Sequence, residues 1–361
     1  MTLTTQAPAF LPMMQPVLRR GRSFLDREVL PGDENEKRLN ALLAAAAERG
    51  LDGVVIFGAA HTPENLVYYA NYTPTTFHGA LVARTGQPPV LFAGKGGARD
   101  HPYIRTVSWV ADVRYAAQIG PAVAEVADGW GAGRLGVAGL DTSLPHHVRD
   151  EVGAALGDRL AGVDDLVVDQ RRAKSAREIA VLATANTIAG RAAAAAAEAY
   201  ADGAGRRTAL AAADYAARAG NAHDCRITAG TGLGGVAGIS EVRDDRGPLT
   251  AVIAAEYLGY WGVAAIRLGT EAVDNLAIDR VVARLRPGVD ARAAFSNRDA
   301  SFLVNGIGCG LVEAPSWGVE PDAALRPNDV VSIAHLGESS GALELDVRTV
   351  VIDETGARSL A

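Results

Sequence analysis

The run from Ser175 to Ala219 constrains the fold more than any other stretch of the chain, because nearly half of it is alanine. Alanine loses no side-chain entropy in a helix, so this segment is predicted to be helical throughout, except where Asp202-Gly-Ala-Gly205 interrupts it. The helix has a defined start. Ser175 and Glu178 have capping-box spacing, in which each side chain answers an amide at the helix N-terminus. The six consecutive alanines, Ala192 to Ala197, leave a smooth surface, and they predict close packing of this helix against a sheet.

The remaining periodicities supply that sheet and a second one. Apolar residues Leu39, Leu42, Leu43 and Ala46 recur at helical spacing after Asp33-Glu-Asn-Glu36, and Gly50 stops that helix. Val54 to Phe57 then reads as a short buried strand, Ala80–Ala83 with Pro89–Phe92 as a hairpin, and Leu135–Leu140 as a strand followed by a helix after Pro145. Further strands are predicted at Cys225–Thr228, Thr250–Tyr257, Tyr260–Leu268, Val330–Ala334 and Val347–Asp353, together forming a curved sheet. The fold class is α/β with two domains. Residues 1–30, with Pro8, Pro12 and Pro16, are expected to form an N-terminal arm, followed by domains over 31–169 and 170–361.

At 361 residues and 37.4 kDa, each domain is large enough to bury its own core. A net charge of -7 and a pI near 5.6 exclude a broad electrostatic surface for nucleic acid. The N-terminal residues lack a basic region followed by an apolar core, and no apolar run is read as long enough to span a bilayer. The expectation is a cytoplasmic protein with no nucleic-acid or membrane partner. Two cysteines, Cys225 and Cys309, are too few for a disulfide framework or a four-cysteine zinc site.

Between Val304 and Pro315 the chain reads V-N-G-I-G-C-G-L-V-E-A-P. This resembles the H-G-I-G-x-x-x-H-E-x-P segment of the pita-bread hydrolases, the superfamily of aminopeptidase P, prolidase, methionine aminopeptidase and creatinase. Gly306, Ile307, Gly308, Glu313 and Pro315 match, whereas the two histidines are replaced by Asn305 and Val312. Five more segments fall in the family's order. Arg171 to Ile179 resembles R-x-x-K-S-x-x-E-I, Ala254 to Trp261 a strand pair ending in G-Y, and Leu285 to Val289 the turn L-x-P-G-x, while Asp329–Ala334 and Val347–Gly356 sit where the last two ligand strands belong. The resemblance implies a creatinase-like N-terminal α/β domain, a C-terminal pita-bread domain and a homodimer.

It also implies five metal ligands, two Asp, one His and two Glu. The matching positions here are Val252, Val263, Asn305, Ala334 and Val347. None is an anionic oxygen donor or an imidazole, so no metal or other cofactor is expected. Shifting every register by one residue brings in only His335 and Asp346 as donors. A creatinase-like route, which needs a histidine on the loop after Gly230, is also unsupported, because Val236 and Ala237 occupy those places.

A cleft floored by Val252, Val263, Ala334 and Val347 favours a small neutral or apolar molecule, since an unpaired charge buried there is costly. Residues that could still act on it are His335 near a ligand position, Glu313 as general acid or base, and Asn305 as a neutral donor and acceptor. Tyr260, Trp261, Cys309, Asp346 and His223 complete the expected lining. For His335 the competing reading is an imidazole on the far face of its strand, because neighbouring strand residues point to opposite sides. Three functions fit. The first is a metal-independent enzyme, repurposed from an Xaa-Pro peptidase or creatinase ancestor, acting on a small amide-bearing or amino-acid-derived molecule in specialised biosynthesis. The second is a non-catalytic pseudoenzyme that binds or scaffolds, and the third is a metallopeptidase of the Xaa-Pro aminopeptidase type.

Overall fold

The computed structural model describes residues 28–74, 78–93, 101–232, 235–270, 276–290, 302–316, 324–339 and 342–360. The expected arm over 1–30 therefore lies outside the described residues, apart from 28–30. The chain divides into two compact units, Met1–Arg171 and Arg172–Ala361.

The first unit is a mixed six-stranded sheet between helices. Its elements are α1 (Gly32–Glu48), β1 (Gly53–Ala59), α2 (Glu64–Ala70), β2 (His78–Ala83), β3 (Val90–Phe92), α3 (His101–Val107), β4 (Asp112–Arg114), α4 (Ile119–Gly129), β5 (Leu135–Ala138), α5 (Leu140–Ser143), α6 (His146–Leu156), β6 (Leu160–Gly162) and α7 (Asp164–Arg172), the last ending at the next unit's first residue. The strand order is β4-β3-β2-β1-β5-β6. The predicted hairpin is present as the antiparallel pair β2–β3, and β1 is buried along its whole length at the centre. Val55, Phe57, Ala80 and Val82 pack on one side with Val123, Val126, Val148 and Val152 of α4 and α6.

The second unit is built around the alanine-rich segment. It forms two helices, α8 (Ala176–Ala201) and α9 (Arg206–Ala219), separated at the predicted break. They cover a four-stranded sheet of β7 (Asp224–Gly232), β8 (Gly235–Gly238), β9 (Leu249–Tyr257) and β10 (Tyr260–Leu268), in the order β10-β9-β7-β8. By length and composition α8 could cross a membrane, which the sequence reading did not anticipate. In the fold, Ala189, Ala192 and Ala196 of α8 are fully buried in a core with Ala251, Ile253, Ile266 and Leu268 of β9 and β10. The approach is close enough that a Cβ on Gly262 would lie 2.2 Å from the backbone of Ala185 and Asn186. The β9–β10 hairpin turns through Leu258 and Gly259, with φ of 49° and 80°, as a tight two-residue hairpin of the I′ kind requires.

After α10 (Leu276–Val282), a five-stranded antiparallel sheet follows: β11 (Phe302–Gly306), β12 (Glu313–Ser316), β13 (Val330–Ser339), β14 (Ala342–Ile352) and β15 (Ala357–Ser359), ordered β12-β11-β13-β14-β15. The single curved sheet expected from the sequence is thus two sheets. The glycine-bearing motif itself supplies strands β11 and β12, which the sequence did not mark as strands. One face of this sheet packs on α10 through Phe302, Val304, Val331, Ile333 and Val350 against Ile278 and Val281. β14 is the strand that packs against β9 and β10.

Two glycines separate packing from propensity. Replacing Gly262 by Ala is expected to destabilise the protein by about 2 kcal/mol or more through overpacking against α8. Gly190, exposed on α8 with open space around it, is expected to give about 1 kcal/mol of stabilisation when replaced by Ala. Urea melts of the two variants check both signs.

Candidate functional site

The region that resembled a metal-ligand motif is organised by buried ion pairs. Lys174, just before the α8 capping box, donates from Nζ to Glu313 Oε2 at 2.8 Å, and both side chains are almost wholly buried, at 3% and 4% exposure. The other Glu313 oxygen accepts the Gly310 amide at 2.7 Å. Gly308 is required beside this pair, since a Cβ there would lie 2.5 Å from the Glu313 carboxylate and 2.7 Å from Lys174 Nζ. Gly306 is required for β-strand approach, because its Cβ would meet the Ala314 carbonyl oxygen at 2.2 Å. Two residues before Lys174, Arg172 pairs with Asp329 at 2.8 Å, again almost fully buried. Glu178, one end of the capping box, accepts the Tyr260 hydroxyl at 3.0 Å and the Ser175 amide at 2.9 Å.

Glu313 is therefore not a free acid or base facing a substrate. Its carboxylate is committed to Lys174 and to the turn amide, which is the loop-holding alternative to a catalytic role.

Strand alternation decides where the other expected site residues point. On β9, Ala251, Ile253 and Ala255 belong to the core under α8 and α9, so Val252, Ala254 and Glu256 face the opposite way. Cross-strand pairing puts Trp261, Val263 and Ala265 of β10 on that same opposite face, with Asp224, Arg226 and Thr228 of β7. The Arg226 guanidinium lies 4.4 Å over the Trp261 ring, as a shared face demands. On the five-stranded sheet, Phe302, His335 and Asp346 are paired in register and share the α10 face. Leu303, Ala334 and Val347 form the adjacent register row and face the other way, the side away from α10, as do Asn305 and Ser332.

Several expectations are corrected by this geometry. His335 does not join Asn305; its ring stacks 4.4 Å from Phe302, on the side of the α10 core. Asp346 is on that side too, and its neighbour Arg348 pairs with Asp279 of α10. Tyr260 faces α8 through its bond to Glu178 and does not line the cleft. His223 sits before β7 with its ring 6.4 Å from that of Tyr257, on the helix-covered side. Cys309 is buried in the Gly308–Gly310 turn, and Val312, at the second histidine position, is 61% exposed. Of the expected lining, Val252, Val263, Trp261, Ala334, Val347 and Asn305 remain on the two faces turned away from the helices.

The residues the sequence reading missed are Lys174, Arg172 and Asp329. Arg172 and Lys174 lie inside one matched motif and Asp329 opens another, but no local pattern marks them as buried.

The chemistry of the donor set was tested against a divalent metal. Val252, Val263, Ala334 and Val347 carry no donor atom, and Asn305 offers a neutral amide whose oxygen already accepts the Ser316 hydroxyl at 3.1 Å. Among the described residues no group of three or more His, Cys, Asp and Glu could hold a metal ion. The residues at the expected ligand positions do not fit one. A cavity of about 730 Å³ lies in the first unit, lined by Pro31, Asp33, Arg105, Ser108, Trp109 and Val110, and none of the expected site residues reaches it.

Solved structures share this architecture. The chain is similar to the X-Pro aminopeptidase from Thermotoga maritima MSB8 at 19% identity and a TM-score of 0.75, over 90% of this chain and 97% of that one. It is similar to the Xaa-Pro dipeptidase from Bacillus anthracis at 20% identity and a TM-score of 0.71, again over 90% and 97%. The prolidase from Pyrococcus horikoshii OT3 matches at 20% identity and a TM-score of 0.70, with the same two coverages. No family model and no curated protein matches the sequence. The fold is thus the two-domain pita-bread fold of Xaa-Pro peptidases, as the motif order implied.

The central pair and the thiols give two checks. Lys174→Met should cost about 3–5 kcal/mol, because it leaves the Glu313 charge buried and unpaired, while Lys174→Met with Glu313→Gln should cost less than the two single changes summed. Denaturant unfolding measures the cycle. Burial pushes the Cys225 thiol up to about 12, with Asp214 adding to it, so at pH 8 only about one part in 10⁴ is thiolate. Cys225 is expected to resist iodoacetamide at pH 8 in the folded protein and to react once unfolded, as peptide mass mapping would read.

Proposed function

We propose that this chain is a metal-independent protein on an Xaa-Pro peptidase fold, whose cleft binds a small, neutral, amide-bearing or amino-acid-derived molecule without hydrolysing it. The observation that carries this reading is the composition of one pair of faces. Valine, alanine and asparagine occupy the positions where the resemblance expects metal ligands, and the three residues expected to catalyse are not grouped there. His335 is on the α10 side, Glu313 is bound to Lys174, and Asn305 is bonded to Ser316. A neutral ligand suits the part of the floor formed by Val252, Val263, Ala334 and Val347, because a bare charge against those side chains would lose its hydration without a partner, and the charged Arg226 on the same face is already paired with Asp224 and stacked over Trp261. The reading includes a homodimer, which follows the resemblance, and a cytoplasmic setting, which follows the reading of the N-terminal residues.

A second, catalytic reading draws on Glu256 and Asp224. They are paired across β7 and β9 on the same face as Val252, and adjacent carboxylates can move protons. In that reading the cleft transforms its amide-bearing ligand in a biosynthetic step.

Elemental analysis of protein purified without chelators, with thermal melts in millimolar manganese, cobalt or zinc, tests the proposal. The expected result is substoichiometric metal and no rise in melting temperature, since a metal that binds only the native state must raise it. Stoichiometric metal with turnover of a dipeptide ending in proline would restore the metallopeptidase reading. Glu256→Gln separates the other two: ligand binding kept with product formation lost supports catalysis, and wild-type protein that binds without any product supports a pure binding role.

A further inference from the structure

The first unit holds a cavity of about 730 Å³ that shares no residue with the cleft. One of its walls is pinned in place. Trp109 donates from Nε1 to the Tyr69 carbonyl at 2.8 Å and Ser108 from Oγ to the Ala70 carbonyl at 2.6 Å, while Asn71 Nδ2 donates back to the Val107 carbonyl. The Ser108 hydroxyl also accepts the Val110 amide at 3.2 Å. The hydrogen-bonding groups of Ser108 and Trp109 are thus spent on the protein itself. What remains along this wall is apolar, the half-buried indole ring of Trp109 and the Val110 side chain, and Pro31, just before α1, adds to it.

The charges around the cavity do not balance. Asp33 of α1 lines it, and its carboxylate is paired with the Lys37 ammonium at 3.0 Å, one turn along the helix. Arg105, in the last turn of α3, lines it too and is exposed. Among the described residues Arg105 has no hydrogen-bond or ion-pair partner. One positive charge is left over, on a planar fork that can hold a carboxylate through two parallel hydrogen bonds.

We propose that this cavity is a binding site for a small organic monocarboxylate, with Arg105 taking the carboxylate and a flat apolar body lying against Trp109, Val110 and Pro31. The volume is that of a small-molecule site, and such sites are mostly apolar with a few placed polar groups. Because Arg105 is exposed, a ligand reaches it without opening the fold. A single uncommitted cation suits a single negative charge. A phosphate monoester brings about -1.5 to -2, and the excess would face the Asp33 carboxylate. An ammonium group would meet Arg105 as a like charge. The site lies wholly in the first unit and does not depend on how the cleft is used.

Full-length protein with fluorine-labelled tryptophans is titrated with phenylacetate, phenylacetamide and phenyl phosphate in parallel, and Trp109→Phe identifies the Trp109 signal. Phenylacetate is expected to shift that signal with saturation, and the amide and the phosphate to bind about tenfold more weakly or worse. Arg105→Gln, at an exposed position, should melt with wild type and lose about tenfold in phenylacetate affinity while amide binding stays as it was, with Arg105→Lys recovering part of the loss. No shift of the Trp109 signal up to the solubility limit, equal affinity for acid and amide, tighter binding of the phosphate, or unchanged phenylacetate affinity in Arg105→Gln would each overturn the proposal. So would a Trp109 shift seen only after residues 1–27 are deleted, since the chain's own N-terminal segment would then be the occupant. Stoichiometric metal in the same sample would sink the metal-independent reading of the cleft and leave every one of these outcomes as it stands.

Discussion

The second unit depends on a buried ion pair between residues 139 positions apart in the chain, Lys174 and Glu313. With Arg172–Asp329 and Glu178–Tyr260, it makes the seven residues from Arg172 to Glu178 a junction where β10, β12 and the start of β13 meet the N-terminus of α8. Burying charges is costly, so such pairs do not argue for great stability. Their effect is specificity of arrangement. A register slip on any of the three strands would strand a charge in the core, and that penalty holds the two sheets to one alignment. Gly308 and Gly306 belong to the same constraint, because the ion pair and the β11–β12 approach leave no room for a Cβ.

That alignment decides which residues share a face. Helices cover the outer face of each sheet, and the strand period of two then sorts every residue to one side or the other. His335 and Val347 illustrate the consequence. His335 stacks on Phe302 among the residues packed on α10, whereas Val347, paired with the residue beside it, faces the other way. A titratable residue one position from a functional one is as far from it, chemically, as the thickness of a sheet.

Most of the fold was legible because its signals are local. The capping box at Ser175, the break at Asp202–Gly205 and the hairpin between Tyr257 and Tyr260 each depend on residues within a few positions, and each formed as predicted. The strands at Phe302–Gly306 and Glu313–Ser316 were less legible, since Gly306 and the glycines between the two strands, with Pro315 in the second, do not favour a strand until the close packing around them is seen. The role of Lys174 was invisible for a different reason. A lysine beside a helix start is ordinarily solvated, and only the return of Glu313 from far along the chain makes it a core residue.

Sequence by itself determined the order of the elements, because periodicity and capping are local, and the resemblance of its motifs to a known family implied the pita-bread architecture. Only the tertiary structure decided which of the surviving polar groups share a face. Facing depends on what covers the other side of each strand, and that cover comes from distant segments: α8 under Tyr260, α10 under His335 and Asp346. The same long-range packing left the Thr349 hydroxyl sealed and unpartnered, a property that no inspection of V-R-T-V-V could have revealed.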